Sequence, residues 1–269
     1  MAKDFRKGVD VIKAAAESKG NRKFTPNIYW KAGDVRSIAW VTAADDIPKV
    51  RLHSFVRVPD DSREAGFRYE TFICQKDPAL VDEYGGQCDL CDRIGADVAE
   101  KFVALAIELE PVKEGRKVTD LKVKKDFVKR DDGTEVEYPR WGLVTQASKN
   151  FFSYFAAYDS SQGDIRDVAW TITREGGSTD TKYHSYVVMN GPNAVPLPDL
   201  SEVIENIPTL EELLEEWSSE EKYAMTKEVE AGSQPTYGGK KDKSEPTGTV
   251  PSGDRKTEFE KIKDEVHSY

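Results

Sequence analysis

All three cysteines of the chain fall in one short segment, Cys74 … Cys88-Asp-Leu-Cys91, with His53 upstream. The intervals between the four are twenty, thirteen and two residues. A two-residue spacer lets one turn aim two sulfurs at the same centre while freeing backbone amides to point at them. Three thiolates and an imidazole form a closed tetrahedral set that suits zinc and keeps no position open for a substrate, so the chemistry expected is structural metal binding. Asp77, Asp82, Asp89 and His184 stand as alternative fourth ligands to His53, with His267 in the extreme tail as the remotest. A redox role for Cys88 and Cys91 is the competing use of the pair. That chemistry favours the strand-to-helix turn of a βαβ unit, and the surrounding residues read as strands. No phosphate-binding glycine loop, Gly-x-Ser-x-Gly elbow or His-Glu-x-x-His helix occurs, and no carboxylate pair is singled out by spacing. No catalytic residue is therefore assigned, and the chain is not expected to be an enzyme.

A second group of residues has the chemistry of anion binding. Between Lys113 and Arg130 stand Lys113, Arg116, Lys117, Lys122, Lys124, Lys125, Lys129 and Arg130, against Glu114, Asp120 and Asp126. Phe127 lies inside this stretch, and Tyr138 and Trp141 follow beyond an Asp132-Gly133 turn that suggests a hairpin. Cations can follow a phosphate backbone while ring faces stack on bases, each stack being worth about 1–3 kcal/mol. The plainer alternative is a solvated lysine-rich hairpin with Trp141 in the core.

These side chains need elements to position them. Short β-branched and aromatic runs over 36–42, 50–58, 67–74, 102–112, 168–173 and 182–189 predict strands, with a brief helix from Asp92 to about Glu100 and an aromatic-faced helix over 147–160. Short strands without a βαβ rhythm predict a mainly β fold with short helices, organised as a small barrel. Residues 1–20 read as a basic amphipathic helix or arm, and 1–36 carry nine basic against four acidic side chains. The excess of negative charge lies at the other end. Of 39 Lys/Arg and 49 Asp/Glu, residues 199–269 hold 9 and 18. An acidic, partly helical segment at 199–231 precedes a Gly/Ser/Pro/Lys-rich linker and a charged C-terminal tip at 232–269, read as a disordered tail. With no secretory leader and no apolar run near the roughly 20 residues that span a bilayer, the expected setting is cytosolic, with reduced cysteines and no membrane partner.

The order His53, Cys74, Cys88, Cys91, the basic arm, the stretch Asp167–Tyr183 with its Thr-Arg-x-Gly … Asp-Thr-x-Tyr pattern, and the acidic tail together resemble the single-stranded DNA-binding proteins of tailed bacteriophages. The resemblance spans roughly residues 20–190. It implies an OB-fold-like core at 21–198 with an inserted zinc subdomain at about 53–100 and a structural Zn2+. It also implies sequence-independent binding of single-stranded DNA in phage replication, recombination and repair, in the cytoplasm of an infected bacterium. The tail would recruit replication and recombination proteins, and self-association on DNA is compatible with it.

Charge alone suggests how such a tail works: it occupies the cationic groove until a strand displaces it. Phosphate contacts are then assigned to the eight cations of 113–130, with Arg174 and Lys182 in support, and stacking to Tyr69, Phe127, Tyr138 and Tyr183. The alternative of a different class is a zinc-stabilised interaction adaptor that docks other proteins and grips no nucleic acid.

Overall fold

The long strand Ala99–Glu114 organises the molecule. Its centre, Val103–Leu109, is buried at every position, because strands flank it on both edges and side chains cover both faces. Val103, Leu105, Ile107 and Leu109 point into one core, Ala104 and Ala106 into another. The second core holds Trp30, Trp40, Trp170 and the phenylalanines 151, 152 and 155, so small alanines on that face leave room for large rings.

The computed structural model describes residues 27–61, 66–129, 135–147, 149–177 and 181–229. The expected basic arm, the linker and tip at 232–269, Arg130 and His267 lie outside the described residues. In chain order the strands are β1 (Val35–Trp40), β2 (Lys49–Pro59), β3 (Phe67–Ile73), β4 (Ala99–Glu114), β5 (Lys117–Val123), β6 (Lys125–Lys129), β7 (Glu135–Pro139), β8 (Trp141–Gln146), β9 (Trp170–Glu175), β10 (Lys182–Val187), β11 (Met189–Asn190) and β12 (Asn193–Ala194). The helices are α1 (Val81–Tyr84), α2 (Lys149–Gln162), α3 (Ser201–Asn206), α4 (Leu210–Ser218) and α5 (Glu220–Ala224). The helix expected from Asp92 is a single π-helical turn, Leu90–Ile94, which Gly95 ends in the left-handed region at φ 72°.

The expected OB-fold-like barrel is not formed. Eight strands make one antiparallel sheet along the path β10-β9-β1-β4-β2-β3, with β5 and β8 also paired to β4. At residues 102, 106, 107 and 109 of β4 two partners are bonded at once, so β2 and β1 share one of its edges and β8 and β5 the other. Among the described residues no pairing joins the two ends of the path, and the sheet stays open. The fold is mixed, an antiparallel sheet with helices on it. Residue pattern sets which face of a strand is buried; whether end strands meet depends on what covers them.

At the β3 end the cover is the acidic segment. Leu200, Ile207, Leu210, Leu213 and Trp217 enter the first core, while Tyr223 and Val229 enter a third. A capping box starts α4: Glu212 N–H donates to Thr209 Oγ1 (3.2 Å) and Thr209 N–H to Glu212 Oε2 (2.8 Å). Glu211, Glu212 and Glu215 take the solvent side. The Tyr223 hydroxyl donates to Ile73 O at 2.6 Å, satisfying an edge carbonyl of β3. Residues 200–229 are thus built into the fold and are not a free competitor for a groove.

Glu70 of β3 accepts from Lys222 Nζ (2.9 Å) and Arg68 Nε (2.5 Å). Burial pushes its carboxyl up, but the Lys222 ammonium and Arg68 guanidinium outweigh that and hold it below its usual value. A lowered folded value stabilises above the unfolded pKa and stops doing so as pH falls through the folded one. Glu70→Gln is therefore expected to cost about 1–3 kcal/mol at pH 7, the gap closing in acid below the usual carboxylate value. Urea midpoints of both proteins from pH 7 to pH 3 measure it, and a gap independent of pH contradicts it.

Candidate metal centre

A β-bulge delivers the histidine. His53 pairs with Phe72 and Val56 with Glu70, so β2 spends one residue more than β3 between the two pairs. Before the bulge Val50 and Leu52 face the first core; after it Val56 and Val58 face the third, where His53 also lies fully buried. Phe55 absorbs the bulge at φ 60° and is the one non-glycine among the described residues with positive φ.

Cys74 directly follows β3, its N–H bonded to Arg51 O at 2.7 Å. Asp77 braces the next turn, accepting from Arg51 N (2.7 Å) and Ala79 N (3.0 Å). Helix α1 ends on Gly85 and Gly86, both left-handed, which turn the chain towards Cys88. Asp92 then closes the knuckle: its carboxylate accepts from Cys88 N (3.1 Å) and from Lys76 Nζ (2.6 Å).

The ligand atoms of His53, Cys74, Cys88 and Cys91 all lie within 4.8 Å of one another. Cys74 Sγ and Cys91 Sγ are 3.6 Å apart, and His53 Nε2 is 3.5 Å from both Cys88 Sγ and Cys91 Sγ. A tetrahedron with bonds of about 2.3 Å to sulfur and about 2.0 Å to nitrogen has edges of about 3.8 Å (S–S) and 3.5 Å (S–N). The spacing fits. His53 Nδ1 lies 3.0 Å from Asp97 O, an acceptor, so Nδ1 carries a proton and Nε2 is the ring atom turned to the sulfurs.

The electrostatics ask for a cation. Burial pushes the Cys88 thiol up, but the His53 ring and the backbone N–H groups of Cys91 and Gln75 outweigh it and bring it down to about 6. Burial, with Cys74 and Cys88 alongside, pushes Cys91 up to about 12, and burial raises Cys74 as well. Adjacent thiols in a buried place cannot ionise together on their own. A divalent cation held by these residues would remove that conflict and keep all three as thiolates.

His53 comes from β2, Cys74 from the residue after β3, and Cys88 and Cys91 from the turn beyond α1. The other proposed ligands sit elsewhere or have other work. Asp89 forms a double ion-paired contact with Arg93 (2.7 and 2.6 Å), Asp82 is exposed on α1, and His184 lies on β10 beside Glu175 Oε2 (3.3 Å). Sequence reasoning overlooked Asp97, Asp92 and Arg93. Only Asp89 and Arg93, four apart around Cys91, carried a readable signal, the spacing of a helical ion pair.

No family model, curated protein or solved structure matches the chain. The resemblance to phage single-stranded DNA-binding proteins is not upheld, because the barrel that it implies is an open sheet. Its corollaries fall with it: single-stranded DNA as ligand, a DNA-displaced tail recruiting replication and recombination proteins, and assembly on DNA.

The residues assigned to DNA are divided among several places. Lys113, Arg116 and Lys117 sit at the exposed β4–β5 turn and Lys122 further along β5. Lys124 is spent on buried Glu108 (2.8 Å) and Lys125 on Glu137 (2.8 Å). Arg174 donates to Trp30 O and to Thr181 Oγ1 (3.2 Å) on β9, and Lys182 is exposed on β10. Tyr183 packs edge-on against Trp30 and Phe151, and its hydroxyl accepts from Gln146 Nε2 (3.2 Å), so it belongs to the second core. Exposed Phe127 and half-buried Tyr138 share the β6–β7 hairpin, while exposed Tyr69 lies on β3 of the β2–β3 hairpin. Lys129 is on β6. Among the described residues no helix is long and apolar enough to cross a membrane.

Proposed function

We propose that the chain is a zinc-stabilised protein-interaction module in which Zn2+, held by His53, Cys74, Cys88 and Cys91, has a structural role. The observation that carries this is the closed donor set: one imidazole nitrogen and three sulfurs at tetrahedral spacing, with His53, Cys74 and Cys88 fully buried. Such a set offers a substrate no coordination position, so no catalytic residue is assigned.

The surface proposed for contact is the outer face of the β2–β3 hairpin, whose strands carry His53 and lead to Cys74. There Arg57 lies over the Phe67 ring at 4.1 Å, and Tyr69 meets Phe67 and Phe55 edge-on at 5.6 and 6.4 Å. Phe55 is 62% exposed and Tyr69 45%. Aromatic rings grouped with an arginine have the composition of interface anchors.

Metal analysis of the purified full chain is expected to give one zinc per chain. Titration of the same sample with fluorescent oligothymidine at low salt is expected to show no binding. Salt-sensitive binding of the oligonucleotide would overturn the adaptor reading, and absence of zinc after reconstitution would overturn the metal assignment.

A further inference from the structure

The third core is shared between the metal ligands and the last described stretch of chain. It contains Cys74, Cys88, Leu90 and Ile94 together with Phe72, Tyr223 and Val229. Tyr223 stacks on Phe72 (6.1 Å, 21°), and Tyr84 meets it edge-on at 5.5 Å. Besides the ties from β3 to Lys222 and Tyr223, one set of polar ties starts from the knuckle itself. Arg93 Nη1 donates to Val229 O (2.6 Å) and Nη2 to Thr226 O (2.8 Å), while Nε and Nη2 are held by Asp89. Asp89 and Arg93 bracket Cys91, so the position of the guanidinium depends on how the turn Leu90–Ile94 is fixed. A five-residue π-helical turn has no stability of its own. Coordination of Cys88 and Cys91 would fix it.

The chain also has a natural hinge. Helix α4 ends and α5 begins at Ser219, an extended residue (φ −67°, ψ 148°) that caps the second helix. Before the hinge, Leu210, Leu213 and Trp217 are anchored in the first core; after it, the apolar side chains of Tyr223 and Val229 enter the third, and Lys222 and the Tyr223 hydroxyl tie the stretch to Glu70 and Ile73 O of β3.

We infer that the metal centre is a buckle and residues 219–229 its strap: coordinated Cys88 and Cys91 hold Arg93 on the strap's carbonyls, and loss of the metal releases the strap while α4 stays docked. This rests on the zinc reading above. Release would uncover Phe72 and Leu90, so metal occupancy sets whether an apolar face beside the hairpin is covered. By linkage the strap in turn retains the metal.

Hydrogen–deuterium exchange of the full chain tests this on three samples: zinc-loaded, chelator-stripped, and zinc-loaded Arg93→Met, with zinc content measured on each. Stripping is expected to raise exchange in 219–229 on the order of tenfold or more, while 201–217 and 103–109 keep their protection. Arg93→Met is expected to keep one zinc per chain, to expose 219–229 in part, and to lose zinc to a competing chelator about tenfold faster. Unchanged protection of 219–229 after stripping overturns the proposal, as does simultaneous loss of protection in all three segments. Failure of the wild-type chain to hold zinc at all is a different result, read from the metal content, and removes the reading beneath it.

Discussion

Cys88→Ser is expected to reduce zinc from one per chain to nearly none and to lower the first thermal transition by about 10–20 °C. Structural zinc contributes apparent binding free energies of about 10–16 kcal/mol at pH 7, shared among four ligands. A serine hydroxyl stays protonated at neutral pH and gives the metal a neutral oxygen in place of a thiolate. Even a loss of about 5 kcal/mol corresponds to roughly 10–20 °C at about 2–4 °C per kcal/mol for a chain of this class. Cys88 is the most informative of the three cysteines because its contacts with His53 and the backbone amides favour the thiolate before metal arrives. Calorimetry with metal analysis makes the measurement, and Asp82→Asn and His184→Ala serve as comparisons expected to leave zinc in place. Retention of zinc by Cys88→Ser, or its loss from either comparison, would overturn the ligand assignment.

The grouping of His53, Cys74, Cys88 and Cys91 was legible because residue type and spacing carry coordination chemistry directly: three cysteines crowded into one segment point at one centre. What holds those ligands was not legible. The Asp97 carbonyl that orients His53 is backbone, and any residue type supplies one. Strand ranges were readable from alternation and β-branching, whereas closure into a barrel was not, since nothing in the side-chain pattern of β3 or β10 states what lies beyond its open edge. The acidic segment was read as partly helical, but its placement in a free tail was misjudged for a different reason. Its charge count suggested that this helical stretch belonged to a tail, whereas Leu210, Leu213 and Trp217, three and four apart, give it one apolar face that is buried in the first core. Local charge counting also failed over 113–130, because the partner of Lys124 is Glu108, sixteen residues away in sequence.

That partner is the site of the second large effect. Glu108 lies in the alanine row of β4, only 2% exposed, and accepts from Arg36 (2.9 Å), Lys124 (2.8 Å) and Arg140 (2.8 Å). Its backbone joins β4 to the β5–β6 and β7–β8 links: Glu108 N–H donates to Arg140 O, Lys124 N–H to Glu108 O, and Arg140 N–H to Lys124 O. Glu108→Ala leaves three cations around a buried void and is expected to cost about 3–5 kcal/mol, the usual result of removing one member of a buried ionic group. Lys124→Met should cost under about 1 kcal/mol, because Lys124 is 37% exposed and two guanidinium groups remain on the carboxylate. Urea denaturation compares the two, and metal analysis separates this junction from the other centre: Glu108→Ala is expected to keep its zinc. Equal costs for the two variants would mean that the strand junction is held by its backbone bonds and that the carboxylate is incidental. A larger cost for Glu108→Ala means that β4 tolerates a charge in a buried row because cations from β1, the β5–β6 link and the β7–β8 link converge on it.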